Sequence, residues 1–98
     1  MKDLSGYKTI VGYGIGQYYE YMKPQLPAGL HMDFLCDKKW EEIGAEYDGI
    51  KVISPESLIG LKNVFIIVFS GNPRNYNSIA AMLNEMQLPF AHAEEVWE

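Results

Sequence analysis

Apolar runs alternate with amphipathic stretches along this chain, and the alternation predicts strands and helices in turn. Tyr7 to Val11 predicts a first strand that enters the turn Gly12-Tyr13-Gly14-Ile15-Gly16. Gln17 to Lys23 then predicts a helix of about two turns, broken by Pro24 and Pro27. Met32 to Cys36 predicts a second strand, followed by the charged segment Asp37 to Glu42, and Val52-Ile53 a short third strand. At Ser54-Pro55-Glu56 a helix should begin, with Ser54 as cap and Pro55 in the first helical position, and Gly60 can close it. Val64 to Phe69 is an unbroken β-branched and aromatic run, the pattern of a central parallel strand covered on both faces. Ser70-Gly71-Asn72-Pro73 repeats the cap-then-proline signal. Beyond it Ile79, Met82, Leu83 and Met86 share one helical face through to about Gln87, and Phe90-Ala91 starts a last strand.

Right-handed crossovers applied to this series predict an α/β, Rossmann-like three-layer domain with a parallel sheet of about five strands in the order 3-2-1-4-5. A chain of 98 residues, 48% of them hydrophobic, can bury one core, so a single domain over residues 1–98 is expected.

The glycine-rich loop sits where a phosphate loop belongs, between a strand and a helix. Glycines let the backbone turn tightly and approach a phosphate, with Tyr13, Ile15 and Gln17 as the intervening loop residues. In G-x-G-x-x-G the third glycine would fall at residue 17, whereas this chain has Gln17 there and Gly16 one place early. The glycines are also compatible with a tight βα turn that holds no ligand. Asp37 ends the second strand about 20 residues on, the spacing at which an acid accepts ribose hydroxyls, and it also suits a plain strand-ending turn. Lys38 and Lys39 can neutralise a phosphate or simply face solvent. In the expected strand order Ser70, Gly71 and Asn72 border the same crevice, and Arg74, in the first turn of the next helix, can pair with a phosphate or stand as surface.

Charge and composition narrow the partners. A net charge of −5 opposes phosphate backbones, so nucleic acid is not expected as a partner, while backbone amides can still bind a small anion. The longest apolar run is far below the ~18 residues of a membrane span. The start MKDLSGYKTI lacks a signal-peptide pattern and Cys36 is the single cysteine, which together predict a cytoplasmic protein with no disulfide framework. His31 and His92 have no metal-ligand spacing, so no metal is expected. Cys36 is read as a buried small apolar residue, and Glu94, Glu95 and Glu98 as a solvated end. Tyr18, Tyr19, Tyr21 and Met22 crowd the first helix, as core or as a homodimer patch.

The glycine loop, Asp37-Lys38-Lys39-Trp40, the stretch from Tyr47 to Leu58 and the strand Val64 to Phe69 form a series that resembles small Rossmann-like domains of bacterial polysaccharide and nucleotide-sugar enzymes. These include the N-terminal domain of sugar acetyltransferases of the left-handed β-helix type and the first domain of membrane-associated sugar dehydratases. The resemblance implies a domain that holds a nucleotide or nucleotide-sugar through Gly12, Gly14, Gly16 and Asp37, without the catalytic β-helix. It also implies a partner sugar-modifying enzyme.

One mononucleotide-binding half favours a mononucleotide or nucleotide-sugar over NAD as ligand. The expectation is therefore a nucleotide or nucleotide-sugar binding domain of polysaccharide biosynthesis, with no complete catalytic set. Its rivals are an NAD-binding oxidoreductase or epimerase fragment, for which only Tyr19-x-x-x-Lys23 has the spacing, and a non-enzymatic interaction module. S-adenosylmethionine or coenzyme A would fit the same crevice.

Overall fold

A computed structural model of the protein describes residues 4–96, so Glu98 lies outside the described residues. Its centre is β5 (Val64–Val68), which is buried along its whole length. Parallel pairing with β1 (Thr9–Tyr13) puts Thr9 beside Val64 and Tyr13 beside Val68. Side chains of a strand alternate between faces, and here the alternation feeds two cores. Phe65 and Ile67 pack with Ile10, Leu35 and Phe69 on one face, while Val64, Ile66 and Val68 pack with Val11 and Cys36 on the other.

The first face is covered by α1 (Gln17–Met22), which buries Tyr19 and Met22 before Pro24 turns the chain into a 3₁₀ segment, Lys23–Gln25. Trp40 and Ile43 of the short α2 (Trp40–Ile43) pack against the same core. Opposite lies α3 (Pro73–Glu85), whose Ile79 and Leu83 point inward. Asn72 starts α3 as the sequence predicts, its Oδ1 accepting from the amides of Arg74 at 2.9 Å and Asn75 at 3.2 Å. Ser54 likewise caps the segment after it, but Pro55–Gly60 is a 3₁₀ helix rather than an α-helix.

The sheet has six strands, mostly parallel, in the order 3-4-2-1-5-6, which differs from the expected five-stranded order 3-2-1-4-5 by one added strand at the edge, the five expected strands keeping their spatial order. From the outer edge it runs β3 (Glu46–Tyr47), β4 (Ile50–Ile53), β2 (Phe34–Cys36), β1, β5 and β6 (Phe90–His92). The unexpected strand is β3, which pairs antiparallel with β4. Asp48 at φ 56° and Gly49 at φ 75° join them in a two-residue turn with both central residues left-handed, the geometry that Asp-Gly favours in tight hairpins. The first strand is also displaced relative to expectation. It begins at Thr9 and carries Gly12 and Tyr13 within it, because Gly12 pairs with Leu35 and Ile67 and Tyr13 with Cys36 and Val68.

Candidate functional site

The five parallel strands end at one edge of the sheet, and the loops leaving β1, β2, β5 and β6 gather there. The ladder continues one step past the strands, Gly14 N donating to the Cys36 carbonyl at 2.8 Å and Phe69 N to the Tyr13 carbonyl at 2.8 Å. The three glycines of the loop do different jobs. At Gly12 a Cβ would meet Met32, Leu35 and Phe69 at 2.8–3.0 Å, so this glycine answers to core packing. Gly14 has φ 109°, and a Cβ there would collide with the Phe69 carbonyl oxygen. Gly16, at φ 160° and ψ −153°, is exposed, and a Cβ there would meet nothing within 4 Å. It precedes α1 without any side-chain cap for the helix amides.

Asp37 closes the loop from the side. Its Oδ2 accepts from Ile15 N at 2.8 Å and its Oδ1 from Lys39 N at 2.9 Å, tying the β1 loop to the β2 loop. On the β5 side, Ser70 is 5% exposed, and its Oγ donates to the Asn72 carbonyl at 3.1 Å and accepts from Asn75 Nδ2 at 3.1 Å.

Between these loops lies a cleft of about 200 Å³ that brings together Gly14, Ile15, Gly16, Gln17, Asp37, Ser70, Gly71 and Asn72. Of the remaining sequence candidates, Tyr13 and Lys38 line an adjoining cleft of about 350 Å³ that shares Gly14, Asp37 and Asn75 with the first and includes Pro55, Glu56 and Met82. Gly12 is inside the sheet, and Arg74 is an exposed residue of the first turn of α3, its backbone amide held by Asn72. Burial, then Cys36 and the carboxylates of Asp37 and Glu56, push the Tyr13 phenol up to about 12. The Cys36 thiol is also pushed up to about 12, by burial first and then by Asp37 and Glu56. It is 0% exposed and remains a neutral thiol at physiological pH.

Sequence reasoning passes over His92, which ends β6 and reaches the same edge. Its Nδ1 accepts from Glu94 N at 3.1 Å, which leaves the proton on Nε2, and Nε2 donates to the Ser70 carbonyl at 2.6 Å. The ring lies between Tyr18, centroid 5.6 Å away, and Tyr76, 5.2 Å away. Tyr18, Ser70, Gly71, Pro73, Tyr76, His92 and Glu94 enclose a second cleft of about 320 Å³, sharing Tyr18, Ser70 and Gly71 with the first. The signal that could find His92 is the Phe90-Ala91 strand pattern just before it. A residue at the end of an edge strand of a parallel sheet arrives at the carboxyl edge.

Below this edge, Tyr19 donates to Asp48 Oδ2 at 2.9 Å, Lys23 Nζ lies 3.2 Å from the same carboxylate and 3.1 Å from Glu20, and Tyr47 donates to Glu20 at 2.6 Å. These contacts clamp α1 to the β3–β4 hairpin. They also engage both members of Tyr19-x-x-x-Lys23.

Among the described residues no group of three or more His, Cys, Asp or Glu side chains could hold a metal ion, and no helix is long and apolar enough to cross a membrane. No family model matches the chain, and no curated protein is detectably similar to it.

Proposed function

We propose that the chain is a Rossmann-like binding domain whose crevice between the β1 and β5 loops takes the phosphate end of a nucleotide or nucleotide-sugar. The observation that carries this reading is the contrast among the loop glycines. Packing accounts for Gly12 and Gly14, whereas Gly16 has no packing neighbour of its own and opens onto the cleft. A ligand approaching the backbone supplies that neighbour. Gly16 and the first α1 residues offer main-chain amides, and Gly71-Asn72 forms the facing wall. Because the Ile15 amide is already bound by Asp37, the phosphate belongs over Gly16 and Gln17 rather than over Gly14. Asp37 keeps lone pairs for a ribose hydroxyl at the cleft's edge.

The residues lining this crevice offer amides, hydroxyls and one carboxylate engaged by two backbone amides, so binding rather than catalysis is the role assigned to the chain alone. The setting in polysaccharide or nucleotide-sugar metabolism rests on the sequence resemblance. Fragment use of NAD is the weaker reading, since the Tyr19 hydroxyl is committed to Asp48. A non-enzymatic interaction module is the second reading, favoured by Asp37 holding the loop closed through protein groups alone.

Titrating nucleoside monophosphates, nucleotide-sugars, NAD, S-adenosylmethionine and coenzyme A while following backbone amide resonances tests the proposal. A mononucleotide or nucleotide-sugar should shift Ile15 to Tyr18 and Ser70 to Asn72 at millimolar concentration. If no compound moves them, the interaction-module reading replaces it.

A further inference from the structure

The second cleft has the build of a subsite for a flat ring. His92 forms one wall: both ring nitrogens are used inside the protein, by Glu94 N and the Ser70 carbonyl, so the imidazole offers the cleft aromatic surface and not a proton. Tyr18 and Tyr76 stand at 59° and 67° to it. Gly71 allows the Tyr18 ring to lie against the backbone, since a Cβ there would come within 2.8 Å of that ring. Aromatic walls around a space of about 320 Å³ suit a heterocycle with part of a sugar, and such surfaces bind bases by stacking.

The one charged side chain lining the cleft is an acceptor. Glu94, an exposed side chain, presents a carboxylate that only accepts hydrogen bonds, and the Tyr18 hydroxyl donates to it at a long 3.3 Å. A ring that turns an amino donor toward Glu94 is matched. Uracil is mismatched, because its ring N–H is flanked by two carbonyl oxygens that repel a carboxylate.

We infer that the Tyr18–Tyr76–His92–Glu94 cleft is a base subsite selecting an amino-bearing nucleobase over uracil. This rests on the proposed nucleotide reading, since the cleft joins the glycine-loop cleft through Tyr18, Ser70 and Gly71. Cytidine and uridine monophosphates differ at the decisive edge, amino donor against carbonyl acceptor, and are otherwise nearly isosteric.

The experiment titrates both nucleotides into the wild-type chain and into Glu94→Gln, reading dissociation constants together with amide shifts at residues 14–18 and 70–72. The glutamine variant keeps the backbone amide of residue 94 that the His92 side chain caps, and it supplies both a donor and an acceptor. The cytidine nucleotide should bind the wild type about fivefold or more tighter than the uridine one, and the ratio should fall to near one in Glu94→Gln. Equal binding of the two by the wild type, with the loop shifts present, overturns the base subsite and leaves the nucleotide reading standing. A preference that survives Glu94→Gln overturns the role of Glu94 and with it the inference. Absence of shifts with either nucleotide overturns both.

Discussion

The two faces of the sheet are held by different means. On the α3 face, a 13-residue helix capped by Asn72 lays Ile79 and Leu83 on Val11, Ile66 and Val68, an aliphatic layer stabilised by burial. On the α1 face, a six-residue helix is too short to be stable through its own turns, and aromatic rings with polar tips secure it. Tyr19 is 1% exposed, packs edge-on to Phe69 at 5.1 Å and sends its hydroxyl out to Asp48. The lesson concerns separability: the candidate site sits at the start of α1, on the face whose helix is held by polar ties as well as by packing. Substitutions there can alter binding while the α3 face continues to carry the fold.

Breaking the aliphatic face should produce the largest effect. Leu83→Ala removes a side chain with 0% exposure from the layer between α3 and the sheet, and should cost about 2–5 kcal/mol in chemical denaturation. A loss below about 1 kcal/mol would show that α3 is not the stabilising element.

The tied face should respond less and with a pH signature. Tyr19→Phe keeps the ring and removes the hydroxyl bond to Asp48, for an expected loss of about 1 kcal/mol. The Tyr19 hydrogen bond, followed by Lys23, holds the Asp48 carboxyl below its ordinary value of 3.8. A depressed carboxyl contributes stability that is present above the unfolded-state pKa and is lost as pH falls through the folded one. Unfolding curves of wild type should therefore lose this small contribution below about pH 4, and Asp48→Asn, which tolerates the left-handed turn, should remove that part of the dependence. The pair is exposed, so its share stays under about 1 kcal/mol. An unchanged acid limb in Asp48→Asn would mean that the clamp is ornamental.

Signals confined to neighbouring residues are the ones legible in the sequence. The run Val64 to Phe69 announces a strand covered on both faces, and Asn72-Pro73 announces the start of α3, because each depends on local chemistry alone. The β3–β4 hairpin is harder to see although Asp48-Gly49 is a strong turn signal, since a two-residue strand leaves almost no alternation to read. Composition assigns Gly12 and Tyr13 to the loop, yet pairing with β2 and β5 on both sides draws them into the sheet. For the site, the meeting of the glycine loop with Ser70 to Asn72 is foreseeable from topology. The hold of Asp37 on Ile15 and the arrival of His92 beside Ser70 depend on side-chain direction, which spacing does not encode.

The central claim is that Gly16, alone among the loop glycines, is kept open for a ligand. Gly16→Val places a side chain into empty space at the N-cap of α1, where Val is a poorer cap than Gly, so the variant should stay folded with a loss of about 1 kcal/mol. Calorimetric titration with the mononucleotide that binds wild type best should show at least a tenfold loss of affinity in Gly16→Val, roughly 1.4 kcal/mol. Undiminished binding by a folded Gly16→Val would contradict the account.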